Sequence, residues 1–299
     1  MRTIIECVPN ISEGRDAAAI EAIAAAVRAA PGARLLNVSS DASHNRSVLT
    51  LVGDRGGVRA AVLALFDAAV PRIDLAKHRG EHPRMGAVDV VPFIPIRGAT
   101  VEDCVALSRE VGEEIGGRGI PVYLYEASAS AEHRRNLAEV RKGEFEGFVE
   151  KIRDAKWKPD FGPAERHPTA GVVAVGARAP LIAYNINLGT KDLAVADRIA
   201  KAIRHLGGGF RYVKAIGVEL ADRGQVQVSI NMTNFKKTPL HRVFDCVRSE
   251  AERHGVPVVG SEIVGLAPAE ALVMAADHYL RLESFSLDQV LELRLLEEE

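Results

Sequence analysis

One order of elements is written twice along this chain, and that repetition limits its fold more than any other feature. Pro9-Asn10-Ile11, the turn through Ser12 and Gly14, and Asp16 are echoed by Asn185-Ile186-Asn187, the turn through Gly189, and Asp192. Each copy is a strand end, an Asn-Ile step, a turn and a helix start. In the first half, β-leaning apolar segments at 4–8, 35–38, 47–52 and 88–96 are interleaved with helical periods at 16–30 and 57–70. In the second half, the Asn-Ile strand is followed by a helix at 192–205, strands at 212–220 and 225–231, a helix at 240–254 and a strand at 256–260. Both halves read β-α-β-β-α-β, the ferredoxin-like order, in which two helices cover one face of an antiparallel sheet. The fold class is therefore α+β, with two such subdomains at 1–178 and 179–299. Their bare sheet faces are expected to turn toward each other, with helices outside and a ligand cleft between them. A helix at 101–115, a strand at 121–125 and a charged helical hairpin at 131–155 add to the first half, and 287–299 reads as an acidic helical tail.

Composition narrows the function. The 38 basic and 40 acidic residues nearly cancel, leaving a formal charge of -2, so no broad electrostatic footprint for nucleic acid or a membrane surface exists. An anionic ligand must be met locally. Cys7, Cys104 and Cys246 are few and far apart, which suits reduced thiols in a cytoplasmic protein. At the N-terminus a charge and then Pro9 arrive too early for a signal sequence, and no apolar run approaches a membrane span. Apolar positions on the outer helices permit a homodimer.

Chemistry concentrates at 77–89, where His78, His82, Glu81, Asp89, Lys77, Arg79 and Arg84 crowd around Gly80, Gly86 and Pro83. Glycines and a proline so spaced predict a shaped loop, a common position for working side chains. His78 to His82 matches the H-x-x-E-H zinc pattern, but Gly80 inside it and Pro83 after it oppose the helix that pattern needs, so no metal site is expected. No G-x-S-x-G elbow or phosphate-binding G-x-x-x-x-G-K is present, and Gly207 to Gly209 follows a helix instead of opening one. A histidine acting as general acid and base remains, with an ordinary pKa near ~6.5. His82 is preferred over His78, because Pro83 holds its backbone extended and Glu81, Asp41 or Asp89 could orient its ring. Arg46, Arg79 and Arg84 supply guanidinium forks for substrate carboxylates. Further along, residues 157–171 hold three prolines, two glycines and the sole tryptophan, Trp157, and read either as an interdomain linker or as a wall of the cleft.

Four stretches, 6–14, 45–48, 80–95 and 185–188, resemble the formiminotransferase domain of formiminotransferase-cyclodeaminase, and the similarity runs from about Thr3 to Ala267. That resemblance implies a transferase that moves a formimidoyl group from N-formimidoyl-L-glutamate to N5 of tetrahydrofolate, its co-substrate, in histidine degradation. It also implies two similar subdomains with folate between them. The family's catalytic histidine falls on His82. Its folate-lining segment falls on 162–171, where Gly162, Pro163, Pro168 and Gly171 fit the pattern and Ala164 to His167, Thr169 and Ala170 depart from it. Asp41, Asn45, Arg46 and Arg84 complete the expected substrate- and folate-binding set. Since the bifunctional enzymes continue into a cyclodeaminase domain, any deaminase step is expected of another protein. A glutamate formyltransferase using 5-formyltetrahydrofolate, or a folate-binding protein without turnover, are the alternatives.

Overall fold

In the computed structural model, residues 3–42, 44–80, 82–220 and 223–298 are described, and the chain divides into two compact units, Met1–Ala179 and Pro180–Glu299. The repeated aspartates begin matching helices. Asp16 accepts from the Ala18 and Ala19 N–H groups to cap α1 (Ala17–Ala29), and Asp192 accepts from Ala194 N–H to cap α6 (Leu193–Ile203). Both caps have the same extended backbone, so the sequence echo is an echo of local structure.

In the first unit, β1 (Ile4–Cys7) and β2 (Asn10–Ile11) form one strand broken at Val8 and Pro9. It lies antiparallel between β4 (Arg46–Gly53) and β5 (Val88–Arg97), and β3 (Ala33–Asp41) lies outside β4. The order β3, β4, β1/β2, β5 is the ferredoxin-like one. Alternate residues Ile5, Cys7, Leu49, Leu51, Val91 and Phe93 join a buried core with Ile23 and Val27 of α1 and with Val58, Val62 and Phe66 of α2 (Arg55–Ala69). Each such side chain contributes about 1.5–3 kcal/mol by leaving water, which fixes the strand register.

The added α-β unit is larger than the sequence predicts. After α3 (Val101–Gly117) comes β6 (Val122–Glu126), but β7 (Val173–Ala177), unforeseen, inserts between β5 and β6 and runs parallel to both. All five β7 residues are buried, so it carries no alternating pattern. The charged hairpin is two short helices, α4 (Leu137–Arg141) and α5 (Glu144–Lys151), joined at Gly143 in the left-handed region. Val140 and Phe148 bury Tyr123, Tyr125, Val90 and Val172 on the side of the sheet away from the main core.

Residues 157–171 are no linker. Phe161 packs on the core beside α3, its carbonyl accepts from Val122 N–H, and the segment stays within the first unit. Three prolines made it read as a connector, whereas its backbone pairs with the loop and strand beside it.

The second unit is a four-stranded antiparallel sheet in the order β11 (Val258–Val264), β8 (Ile182–Leu188), β10 (Gln225–Met232), β9 (Val213–Leu220). α6 and α7 (Leu240–Arg253) bury Ile182, Ile186, Val226, Val228 and Ile230 on one face. α8 (Ala269–Leu280), not anticipated, packs on α7 through Ala271, and α9 (Leu291–Glu298) falls in the expected tail. Among the described residues, no helix is long and apolar enough to cross a membrane.

Candidate active site

The polar loop is fastened at both ends to the first unit. Ala87 N–H donates to Ala170 O at 2.9 Å, Val172 N–H to Met85 O at 2.9 Å and Leu75 N–H to Thr169 O at 2.9 Å. These bonds bring Gly86 against Gly171, whose φ of 71° and closeness to Met85 O exclude a side chain. Asp89 is buried within this turn, where its Oδ1 accepts from Met85 N–H at 2.7 Å and its Oδ2 from Arg141 at 2.6 Å.

Asn45 ties a second loop to the first. It adopts a left-handed φ of 50°, which asparagine tolerates, and its side chain accepts from Gly14 N–H and donates to Arg79 O, both at 2.9 Å. Its own carbonyl lies 2.8 Å from His78 Nε2. The other nitrogen of His78 accepts from Arg84 Nε at 3.3 Å. A guanidinium only donates, so the His78 proton sits on Nε2 and is given to Asn45. Buried and bonded at both nitrogens, His78 is a neutral clamp between two loops, and burial lowers its pKa.

His82 has a different setting. Arg46 Nη1 lies 2.6 Å from its Nε2, so Nε2 is the acceptor and the ring proton sits on Nδ1. The pKa of His82 is pushed down to about 3, by burial first and then by Arg46 and Arg141, with Asp89 opposing and His44 adding to the decrease. The imidazole is neutral at physiological pH and its basic nitrogen is covered by a cation. This departs from the ordinary value near ~6.5 that its residue type suggests.

The arginines differ in how far the protein satisfies them. Arg84 is buried and spent, since it donates to Glu146 at 2.8 and 2.9 Å and to Glu144 at 3.1 Å as well as to His78. Arg46 forms no ion pair among the described residues, and burial, then Arg141, lowers its pKa. Asp89 and Asp41 oppose that decrease from beyond bonding distance, and the one side chain Arg46 bonds among the described residues is a neutral ring, so its guanidinium keeps donors for an anion. Asp41 is turned to His44, whose backbone N–H and Nδ1 lie 2.8 and 3.0 Å from its two carboxylate oxygens. The His44 ring in turn meets His82 edge-on, with centroids 6.2 Å apart. Glu81 lies outside the described residues.

The site therefore joins His82, Arg46 and Asp89 from the sequence-derived set and adds two residues that sequence reasoning missed, His44 and Arg141. His44 stood in view between Asp41 and Asn45. Arg141 carries no signal, being one charge in a helical segment full of them. Gly162, with φ 83° against Ile120 O, and Gly171 serve the backbone, whereas Pro163 and Pro168 line a cavity of about 630 Å³ with Val149, Ile152, Arg166 and His167.

In a duplicated ferredoxin-like frame, the first unit sets the neutral imidazole of His82, its one proton on Nδ1, against the guanidinium of Arg46. Residues 4–178 match the formiminotransferase domain, N-terminal subdomain, and residues 183–296 match the formiminotransferase domain, so the chain belongs to the formiminotransferase family. It is 53% identical to the glutamate formimidoyltransferase of Streptococcus pyogenes serotype M1, across 99% of this chain and 100% of that one. Its identity to the glutamate formimidoyltransferase of Thermoplasma acidophilum is 45%, across 98% and 97%. Against the formimidoyltransferase-cyclodeaminase of Dictyostelium discoideum it is 44% identical across 99% of this chain and 56% of that longer protein.

Proposed function

We propose that this protein transfers the formimidoyl group of N-formimidoyl-L-glutamate to N5 of tetrahydrofolate, a step of histidine degradation. The observation that carries the reading is its similarity, over essentially the whole of both chains, to proteins named glutamate formimidoyltransferase. The site geometry supports it.

N5 attacks the amidine carbon and a tetrahedral intermediate forms. The N5 proton passes to His82 Nε2, then from His82 to the glutamate nitrogen, whose bond to carbon breaks as glutamate leaves. A shuttle of this kind contributes roughly 10²- to 10⁴-fold in rate. Arg46 holds a carboxylate, which its lack of an ion pair favours. Arg84 fits a supporting role better, because Glu144 and Glu146 already neutralise it. Asp89 shapes the loop under His82, and Asp41 acts on His44. The cavity along Pro163 and Pro168 has the size of a small-molecule site, which supports folate binding by that segment.

The experiment is turnover of both substrates by purified protein and by His82→Ala. Loss of about 10²-fold or more in kcat, with the fold retained by circular dichroism, is expected. A variant running at the wild-type rate overturns the assignment. Product from 5-formyltetrahydrofolate and glutamate, with none from the formimidoyl donor, replaces the donor by the formyl one.

A further inference from the structure

His44 stands beside His82 with one ring nitrogen committed and the other bare. Its backbone N–H donates to Asp41 Oδ1 at 2.8 Å, and its Nδ1 lies 3.0 Å from Asp41 Oδ2. A carboxylate only accepts, so the ring proton of the neutral imidazole sits on Nδ1 and Nε2 keeps its lone pair. Among the described residues nothing bonds that Nε2, and the side chain is 40% exposed, so a small ligand reaches it. The ring meets His82 edge-on, with centroids 6.2 Å and planes 65° apart.

The neighbouring acceptors are already engaged. His82 Nε2 accepts from Arg46, His78 is bonded at both nitrogens, and the two oxygens of Asp89 take Met85 N–H and Arg141. The lone pair of His44 is left for a ligand. A formimidoyl group ends in nitrogen, which carries N–H whether the group is neutral or protonated, whereas a formyl group ends in an oxygen that only accepts. A lone pair fixed in place suits the first and opposes the second. Asp41 behind the ring also favours the positive charge of a protonated amidine.

We propose that His44 Nε2 accepts the terminal N–H of the donor's formimidoyl group, with Asp41 holding the tautomer, and that this pair selects an amidine over a formyl group. His44 is then a specificity-determining residue that touches the substrate, and Asp41 is its positioning residue. The proposal rests on the reading of the chain as a glutamate formimidoyltransferase and leaves the proton shuttle with His82. In the transfer the N5–C bond forms, the bond from carbon to the glutamate nitrogen breaks, and the N5 proton ends on that nitrogen. The terminal nitrogen receives the C=N electron pair on attack, returns it on collapse and keeps its own protons, so its contact with His44 lasts through the step.

The test turns on Asp41→Asn, which keeps the size and the acceptor for His44 N–H but points an amide N–H at Nδ1 and so moves the ring proton to Nε2. Wild type, Asp41→Asn, His44→Ala and the double variant are each assayed with tetrahydrofolate on N-formimidoyl-L-glutamate and on N-formyl-L-glutamate. The ratio of kcat/KM between the two donors is compared with the wild-type ratio, because the two groups differ in intrinsic reactivity. Asp41 also acts on Arg46 from beyond bonding distance, an effect common to both donors that cancels in the ratio. Asp41→Asn is expected to move the ratio toward the formyl donor by about 100-fold, His44→Ala by about 10-fold, and the double variant no farther than His44→Ala. Nitrogen NMR of the neutral ring is expected to show the proton on Nδ1 in wild type and on Nε2 in Asp41→Asn. A wild-type ratio in folded Asp41→Asn and His44→Ala overturns the proposal, as does an Asp41→Asn shift that persists in full without the ring, or a wild-type ring protonated on Nε2. A wild type that gives no product from the formimidoyl donor instead overturns the functional reading beneath it.

Discussion

Replacing Arg46 by methionine should raise the pKa of His82 part of the way toward that of an ordinary histidine, and the size of the change can be worked out. Arg46 Nη1 sits 2.6 Å from His82 Nε2, and the ring's pKa is held at about 3. Two unit charges about 4 Å apart, at an effective dielectric near 20, interact by about 4 kcal/mol. Each pKa unit corresponds to about 1.4 kcal/mol, so loss of the guanidinium could raise His82 by at most about three units. Burial is the larger cause of the shift and persists in the variant, as does Arg141, so a rise of roughly one to two units is expected. Heteronuclear NMR titration of the imidazole resonances, with His82→Asn used to assign the signal, reads this directly. The tautomer is a second observable: Nε2 should be the unprotonated nitrogen in wild type. A midpoint within about half a unit of the wild-type value would refute the electrostatic account, and burial alone would then explain it. Because Arg46 also holds the substrate in this reading, kcat/KM falls even though the free base has become stronger.

Arg84→Met should behave in the opposite sense. It strips a buried guanidinium from Glu144, Glu146 and His78, at a cost of about 2–4 kcal/mol in urea unfolding, while the folded fraction keeps kcat within a few-fold; unchanged stability with lost turnover would put Arg84 at the substrate instead. Stability should also fall on acidification. The unfolded chain protonates His82 near ~6.5 whereas the folded chain refuses the proton until about 3, so between those values the unfolded state binds more protons and stability drops as pH falls, by at most about 1.4 kcal/mol per pH unit for this group. His78 and His167, lowered by burial, act in the same direction. Urea midpoints measured from pH 7.5 to 5 that stay level would contradict this.

Much of the frame was legible because it is local. Asp16 and Asp192 cap their helices through bonds two and three residues away, and alternation in 47–52 turns Leu49 and Leu51 inward wherever the strand lies. The irregular motif at 80–95 was specific enough to point to the family. β7 escaped because a strand buried on both faces has no alternation, and the linker reading of 157–171 failed because proline content reports local backbone constraint and says nothing of its partners.

Sequence by itself determined the duplicated β-α-β-β-α-β order, the candidate histidine and the need for a local cation to meet an anion. What only tertiary structure decided is which cations are free. Arg46, Arg84 and Arg141 are the same residue type, yet Arg84 is neutralised by glutamates sixty residues away, Arg141 bonds Asp89, and Arg46, among the described residues, hydrogen-bonds the side chain of His82 alone while Asp89 and Asp41 act on it from farther off. An arginine's chemistry is constant and its availability is not, because a guanidinium's donors are left for a ligand only where the fold brings no carboxylate within bonding distance.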